Sequence, residues 1–237
     1  VGTWMQRVAQ DWLVLTELSN DSGVAIGITT ALQFAPALFF SAWAGALADR
    51  VDRRKLLYVT QGSQGVLAAV LGALVLAGVA ELWHVYVLAF LLGIASAFDA
   101  PVRQVFVSEL VPRERLANAV GLNSATFNTA RLIGPGVAGL LIAAVGTGWV
   151  FVINAASFGA TLLALYRINT AEMFREERSK EGRGGTIRDG IAYVRSRTDI
   201  IVIFVVVSVV STFGLNFQLT TALMARIEFD RGAGEYG

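Results

Sequence analysis

Two groups of residues in this chain have types and spacings suited to chemistry. The first is Arg7 and Asp11, four residues apart, together with Gln33, Asn123, Phe127 and Arg131. Side chains four apart share one face of a helix, and all six sit inside long apolar stretches. An ionisable group in such a place is costly, so it marks a substrate or proton pathway by default. The second group is the run "GALADRVDRRKLL" at 45–57, with Asp49, Arg50, Asp52, Arg53, Arg54 and Lys55, and a further pair, Asp99 and Arg103, again four apart. No nucleophile–base or metal constellation accompanies either group. There is no cysteine, and the single histidine, His84, lies in a loop with no partner ligand. A glycine loop of the GxxxxGK[ST] type is also missing, which argues against ATP hydrolysis. We therefore expect neither an enzyme nor a bound cofactor, and the net charge of +1 gives no reason to expect a nucleic acid partner.

The elements that hold these groups must live in lipid. Of the 237 residues, 55% are hydrophobic and only 16% charged, with a mean hydropathy of +0.60. Soluble domains carry about 25% charged residues. A bilayer core needs roughly 20 apolar residues per helix. Val24–Ala48, Leu56–Ala80, Trp83–Val107, Leu116–Val145, Trp149–Ile168 and Ile200–Ala225 qualify. Thr3–Leu15 is a seventh but short, which suggests a first span lacking its N-terminal part. No strand-like alternation over about ten residues appears, so a β-barrel is not expected. Short turns between spans make neighbours antiparallel, which gives a helical bundle.

Charge orients the bundle. The loops Thr16–Gly23, Gly78–His84 and Gly146–Gly148 contain no Lys or Arg, whereas the alternate loops carry 14. The positive-inside rule places the basic loops in the cytoplasm. We expect three parts: a six-helix half over 1–168, a polar cytoplasmic linker over 169–198, and a seventh span over 199–237. Within the linker, Ile187, Ile191 and Val194 recur at helical spacing, as in a short amphipathic helix.

Depth separates the polar groups. Counting from Glu17, Arg7 lies about 15 Å down its span, near the midplane. Arg131 lies about 22 Å from the start of its own span, whereas Asp99 and Arg103 fall about 24–30 Å from Trp83, close to the basic end. Midplane charges favour a wet cavity; Asp99 and Arg103 also fit a pair that neutralises itself and holds helices together. Asn123, Asn128, Asn154 and Gln33 taken singly suit interhelical hydrogen bonds. Trp12, Phe34, Phe127 and Phe158 suit packing, with a ligand-lining role as the alternative. Pro36, Pro101 and Pro135 interrupt three spans where hinging is conceivable.

The loop at 45–57 resembles the loop between spans 2 and 3 of major facilitator superfamily transporters: a Gly, three residues, Asp-Arg, two residues, then Arg with Arg or Lys. Gly45, Asp49, Arg50, Arg53 and Arg54 match, and Asp52 stands where a second Gly is usual. In span 5, Gly121, Gly134, Pro135 and Gly139 match the antiporter motif of that superfamily, with Ala130 and Ala138 in place of two glycines. The stretches "GTWMQRVAQDWLVL" and "FVINAASF" are similar to the branch holding the enterobactin exporter and related drug and macrolide efflux proteins.

The resemblance implies an all-α polytopic membrane protein of twelve spans in two halves, each half built of two inverted three-helix repeats, with this chain covering spans 1–7 and the C-terminal half absent. It implies a multi-pass inner-membrane exporter for a siderophore-like or drug-like amphiphile, coupled to protons and working by alternating access. Its partners would be the small molecule, protons, lipid and the rest of the same protein. The loop residues with Asp99 and Arg103 would form a conformational latch. The alternative is a non-transporting scaffold, or a half-transporter that pairs with another chain.

Overall fold

A computed structural model describes residues 1–48, 51–169, 173–174, 187–214, 217–229 and 231–236. The helices in chain order are α1 (Gly2–Leu13), α2 (Gly23–Ala48), α3 (Arg53–Leu76), α4 (Leu82–Glu109), α5 (Leu116–Val145), α6 (Thr147–Arg167), α7 (Ile187–Ser196), α8 (Thr198–Gly214), α9 (Phe217–Leu223) and α10 (Ala233–Tyr236). Helix α1 runs on through a wider π-type turn, Val14–Leu18. Helices α2 to α6 are long and apolar enough to cross a membrane. Many of their large exposed side chains are apolar, among them Leu38, Phe39, Val66, Leu132 and Leu140. In lipid a helix satisfies all its own backbone groups, so a chain of this composition folds as this all-α polytopic membrane protein.

The boundaries follow local chemistry. Helix α3 begins where Asp52, in an extended conformation, accepts the Lys55 N–H at 3.1 Å. Such an N-cap satisfies an otherwise orphaned donor. Asp52 thus needs no left-handed backbone, which explains why this position does without the usual glycine. Helix α4 begins at a reciprocal cap in which the Glu81 N–H donates to His84 Nδ1 at 3.0 Å; the one histidine is a capping group. The α5–α6 turn pivots on Gly146 at φ +85°, a conformation that disfavours any side chain.

Helix α2 packs chiefly on α4, α3 on α6 and α4, and α1 lies against α5 and α6. Small residues set these crossings, as expected in lipid. A Cβ at Gly93 would collide with the Gln33 carbonyl and stand 2.9 Å from Pro36 Cγ, so α2 and α4 touch there backbone to backbone. Between α3 and α6, a Cβ on Gly72 would stand 3.0 Å from Val152 Cγ2 and one on Gly148 would stand 2.8 Å from the Leu76 side chain, so both glycines make room for close packing. One apolar core surrounds α1, including Met5, Val8, Leu13, Leu71 and Phe151. A second, Ala48, Leu57, Val102, Phe106 and Leu165, closes the basic end.

Some elements differ from expectation. The stretch Ile200–Ala225 is described as two helices, α8 and α9, with 215–216 outside the described residues. Its apolar portion, Thr198–Ser211, is shorter than the other spans. Residues 201–211 are all exposed, whereas α10 folds back on α5 and stacks Tyr236 on Trp12 at 5.7 Å. The prolines at 36, 101 and 135 lie inside α2, α4 and α5, and each helix continues past them. The expected linker helix exists as α7.

Candidate functional site

Helix α1 is the polar heart of the bundle. In twelve residues it carries Gln6, Arg7, Gln10 and Asp11, a load that no lipid-facing helix tolerates. Gln6, Gln10 and Asp11 are buried. Gln6 accepts a hydrogen bond from Asn154 on α6, and Asn154 is itself buried. That contact fastens α1 to α6, so Asn154 and Gln6 hold helices together.

The opposite face of α1 builds the candidate cavity site. Trp4, Arg7 and Asp11 recur at three and four residues and so share that face. The Arg7 guanidinium lies 4.7 Å from the Trp4 ring and 5.1 Å from the Phe34 ring of α2. Arg131, exposed on α5, stands 5.7 Å from the same indole. Phe127 meets Trp4 edge to face at 5.6 Å. Gln10 donates to Gln33 Oε1 at 3.5 Å, bridging α1 and α2. The structure thus brings Arg7, Phe127 and Arg131 together around Trp4, with Gln33 joined to Gln10 of α1 and buried Asp11 a turn beyond Arg7. Asn123 lies four residues before Phe127 on α5 and is exposed.

Trp4 organises this cluster, and reading the sequence missed it. Gly134 explains its position: a Cβ there would lie 2.6 Å from Trp4 Cβ, so only a glycine lets α1 approach α5 this closely. Pro135 and Gly139 follow on α5, with Gly139 buried; Gly121 and Gly45 have open space where a Cβ would go. Phe158 packs beside Gly65 and is buried.

The basic end holds a second constellation. Arg53 forms an ion pair with Glu109 at the end of α4, and its Nε donates to the Ala48 carbonyl ending α2 at 3.3 Å. Arg54 donates from Nη2 to the Leu165 and Tyr166 carbonyls of α6 at 2.6 and 2.8 Å. Helix C-termini leave carbonyls without intrahelical partners and carry partial negative charge. Two adjacent arginines at the start of α3 therefore bind the ends of α2, α4 and α6. Asp49 and Arg50 lie outside the described residues.

Asp99 and Arg103 sit apart from that bracket. Asp99 is buried and accepts from Thr60 at 2.9 Å and Gln61 at 2.7 Å on α3, and Arg103 reaches its other oxygen at 3.3 Å. The pair locks α3 to α4, and Glu109 is the α4 carboxylate that pairs with Arg53. The opposite end is tied by Thr147 donating to Glu17 at 3.0 Å and by Arg226 with Asp21 at 3.0 Å.

The chain is similar in sequence to known transport proteins. The chain is 34% identical over 167 residues to the staphyloferrin A transporter of Staphylococcus aureus, covering 70% of this chain and 42% of that protein. It is 28% identical over 240 residues to the multidrug efflux pump Tap of Mycolicibacterium fortuitum, covering 97% and 57%. Macrolide efflux protein A of Streptococcus pyogenes shares 31% over 130 residues, covering 54% and 31%. The chain spans about half the length, or less, of these relatives. The transmembrane secretion effector family model matches residues 1–237. Its apolar helices, its polar α1 and this match lead to one conclusion: the chain belongs to the transmembrane secretion effector family of the major facilitator superfamily.

Proposed function

We propose that this chain forms the N-terminal part of a secondary active exporter that moves a siderophore-like or drug-like amphiphile out across the plasma membrane. Residues 1–168 form one rocking unit, 169–198 a cytoplasmic connector, and 199–237 the start of the second unit. Basic loops face the cytoplasm. Alternating access takes place around the α1–α2–α5 cluster, driven by exchange for protons. The observation that carries this reading is the cluster itself: two arginines, two phenylalanines and one tryptophan facing one another within an apolar bundle. A scaffold has no need of charges at that depth, where they are expensive. Arg7, Asp11, Gln33, Asn123, Phe127 and Arg131 serve the substrate or the proton. The Arg53–Glu109 and Arg54 contacts hold the basic end of the unit rigid, and Asp49 and Arg50 form the part of the latch that engages the second half.

Cells lacking their own efflux pumps test this. Expression of the full-length protein should lower steady-state accumulation of at least one compound in a panel of siderophores and drugs. Arg131→Gln should restore accumulation while the protein remains in the membrane. If no compound is excluded by a properly inserted protein, the exporter reading fails.

A further inference from the structure

The charges around Trp4 do not cancel. Arg7 and Arg131 approach one indole, at 4.7 and 5.7 Å. Among the described residues, the one carboxylate of the cluster is Asp11, a turn beyond Arg7, and it makes no ion pair with either arginine. Arg7 Nε is buried with no hydrogen-bond partner. Cation–π contact with Trp4 and Phe34 offsets part of the cost of burying a guanidinium, but leaves its fork of N–H donors without an acceptor. Two guanidiniums and one carboxylate leave the described residues of the site with a surplus positive charge.

We infer that the site takes an amphiphile bearing an anionic oxygen group, a carboxylate or its equivalent, beside an aromatic or apolar body, and that it rejects the cationic analogue. The inference rests on the α1–α2–α5 cluster being the substrate site. Guanidinium matches the planar, two-oxygen geometry of a carboxylate. Arg131 is exposed and free to meet the ligand first. Phe34, also exposed, and Phe127 offer ring surface for the apolar part. A cation entering here would meet two like charges before reaching Asp11, whereas an anion would supply the acceptor that Arg7 lacks.

The test compares two probes of the same shape and opposite charge, 2-naphthoate and 2-naphthylmethylammonium. Binding to the full-length protein in phosphatidylcholine nanodiscs is followed by titration calorimetry against empty nanodiscs. One charge-assisted contact corresponds to about ten- to a hundred-fold in affinity. We expect naphthoate to bind at least about ten-fold more tightly, that ratio to collapse in Arg131→Gln, and Arg131→Lys to retain most of it. Thermal midpoints are measured for each Arg131 variant, so that a loss of fold is told apart from a loss of the ligand contact. Equal affinities, a preference for the ammonium probe, binding of neither, or a ratio unmoved by Arg131→Gln would each overturn the inference. Transport is read separately. Equal export of both probes would refute the charge preference and leave the exporter reading standing. Anion-selective binding without energised movement of either probe would refute the exporter reading and leave the preference intact.

Discussion

The bracket at the basic end makes a quantitative prediction through the Arg53–Glu109 pair. Side-chain exposures are 23% and 10%, so the pair is neither free in water nor fully desolvated. Exposed pairs contribute about 0.2–1 kcal/mol; removing one partner from a buried pair costs about 3–5 kcal/mol. Glu109→Ala should fall between, at about 1.5–3 kcal/mol, because Arg53 keeps its hydrogen bond to the Ala48 carbonyl and partial access to solvent. Arg53→Ala should cost as much or more, since it also frees that carbonyl. The double variant should then be less damaging than the sum of the singles by about 1–2 kcal/mol, the coupling typical of contacting charged groups. Reversible unfolding in mixed dodecyl maltoside–SDS micelles provides the assay. Strict additivity, with a coupling below about 0.3 kcal/mol, would refute the bracket.

Three further predictions concern other contacts. Gly93→Ala forces α2 and α4 apart and should lower stability by about 1–3 kcal/mol; Gly62→Ala, with open space around its Cβ, should be neutral or gain up to about 1 kcal/mol. The same unfolding assay separates them, and equal effects would contradict the crossing geometry. Asp99→Leu leaves the Gln61 amide without its acceptor and should cost about 1–3 kcal/mol, while Asp99→Asn, which keeps an accepting oxygen, should cost less; the reverse order would contradict the α3–α4 lock. These 237 residues contain no cysteine, so a cysteine placed at Asn20, in a background without other cysteines, should react with an impermeant maleimide added outside intact cells, and labelling only after lysis would invert the proposed topology.

Much of the scaffold is legible in the sequence because lipid imposes simple rules. Apolar length gives the spans, and Leu116–Val145 is read to the residue. The sites are less legible where partners are backbone atoms or distant in the chain. Nothing in residue type says that Arg54 seeks the Leu165 and Tyr166 carbonyls, because every residue has one. Glu109 lies 56 positions from Arg53, and spacing along α4 favours Asp99 equally until helix packing decides. Arg7 and Arg131 are visible as costly charges, yet their shared contact with Trp4 depends on the close α1–α5 approach at Gly134. Asp52 reads as a departure from a glycine pattern until its capping bond is seen.

The central claim, proton-driven export through the α1–α2–α5 cluster, is tested most directly in proteoliposomes. The full-length protein, oriented with its basic loops outward, is given an acidic lumen and an exported compound outside. The account predicts uptake above the equilibrium level, abolished when the proton gradient is collapsed and strongly reduced by Arg131→Gln. Uptake that merely equilibrates, or that is indifferent to both the gradient and Arg131, would contradict it.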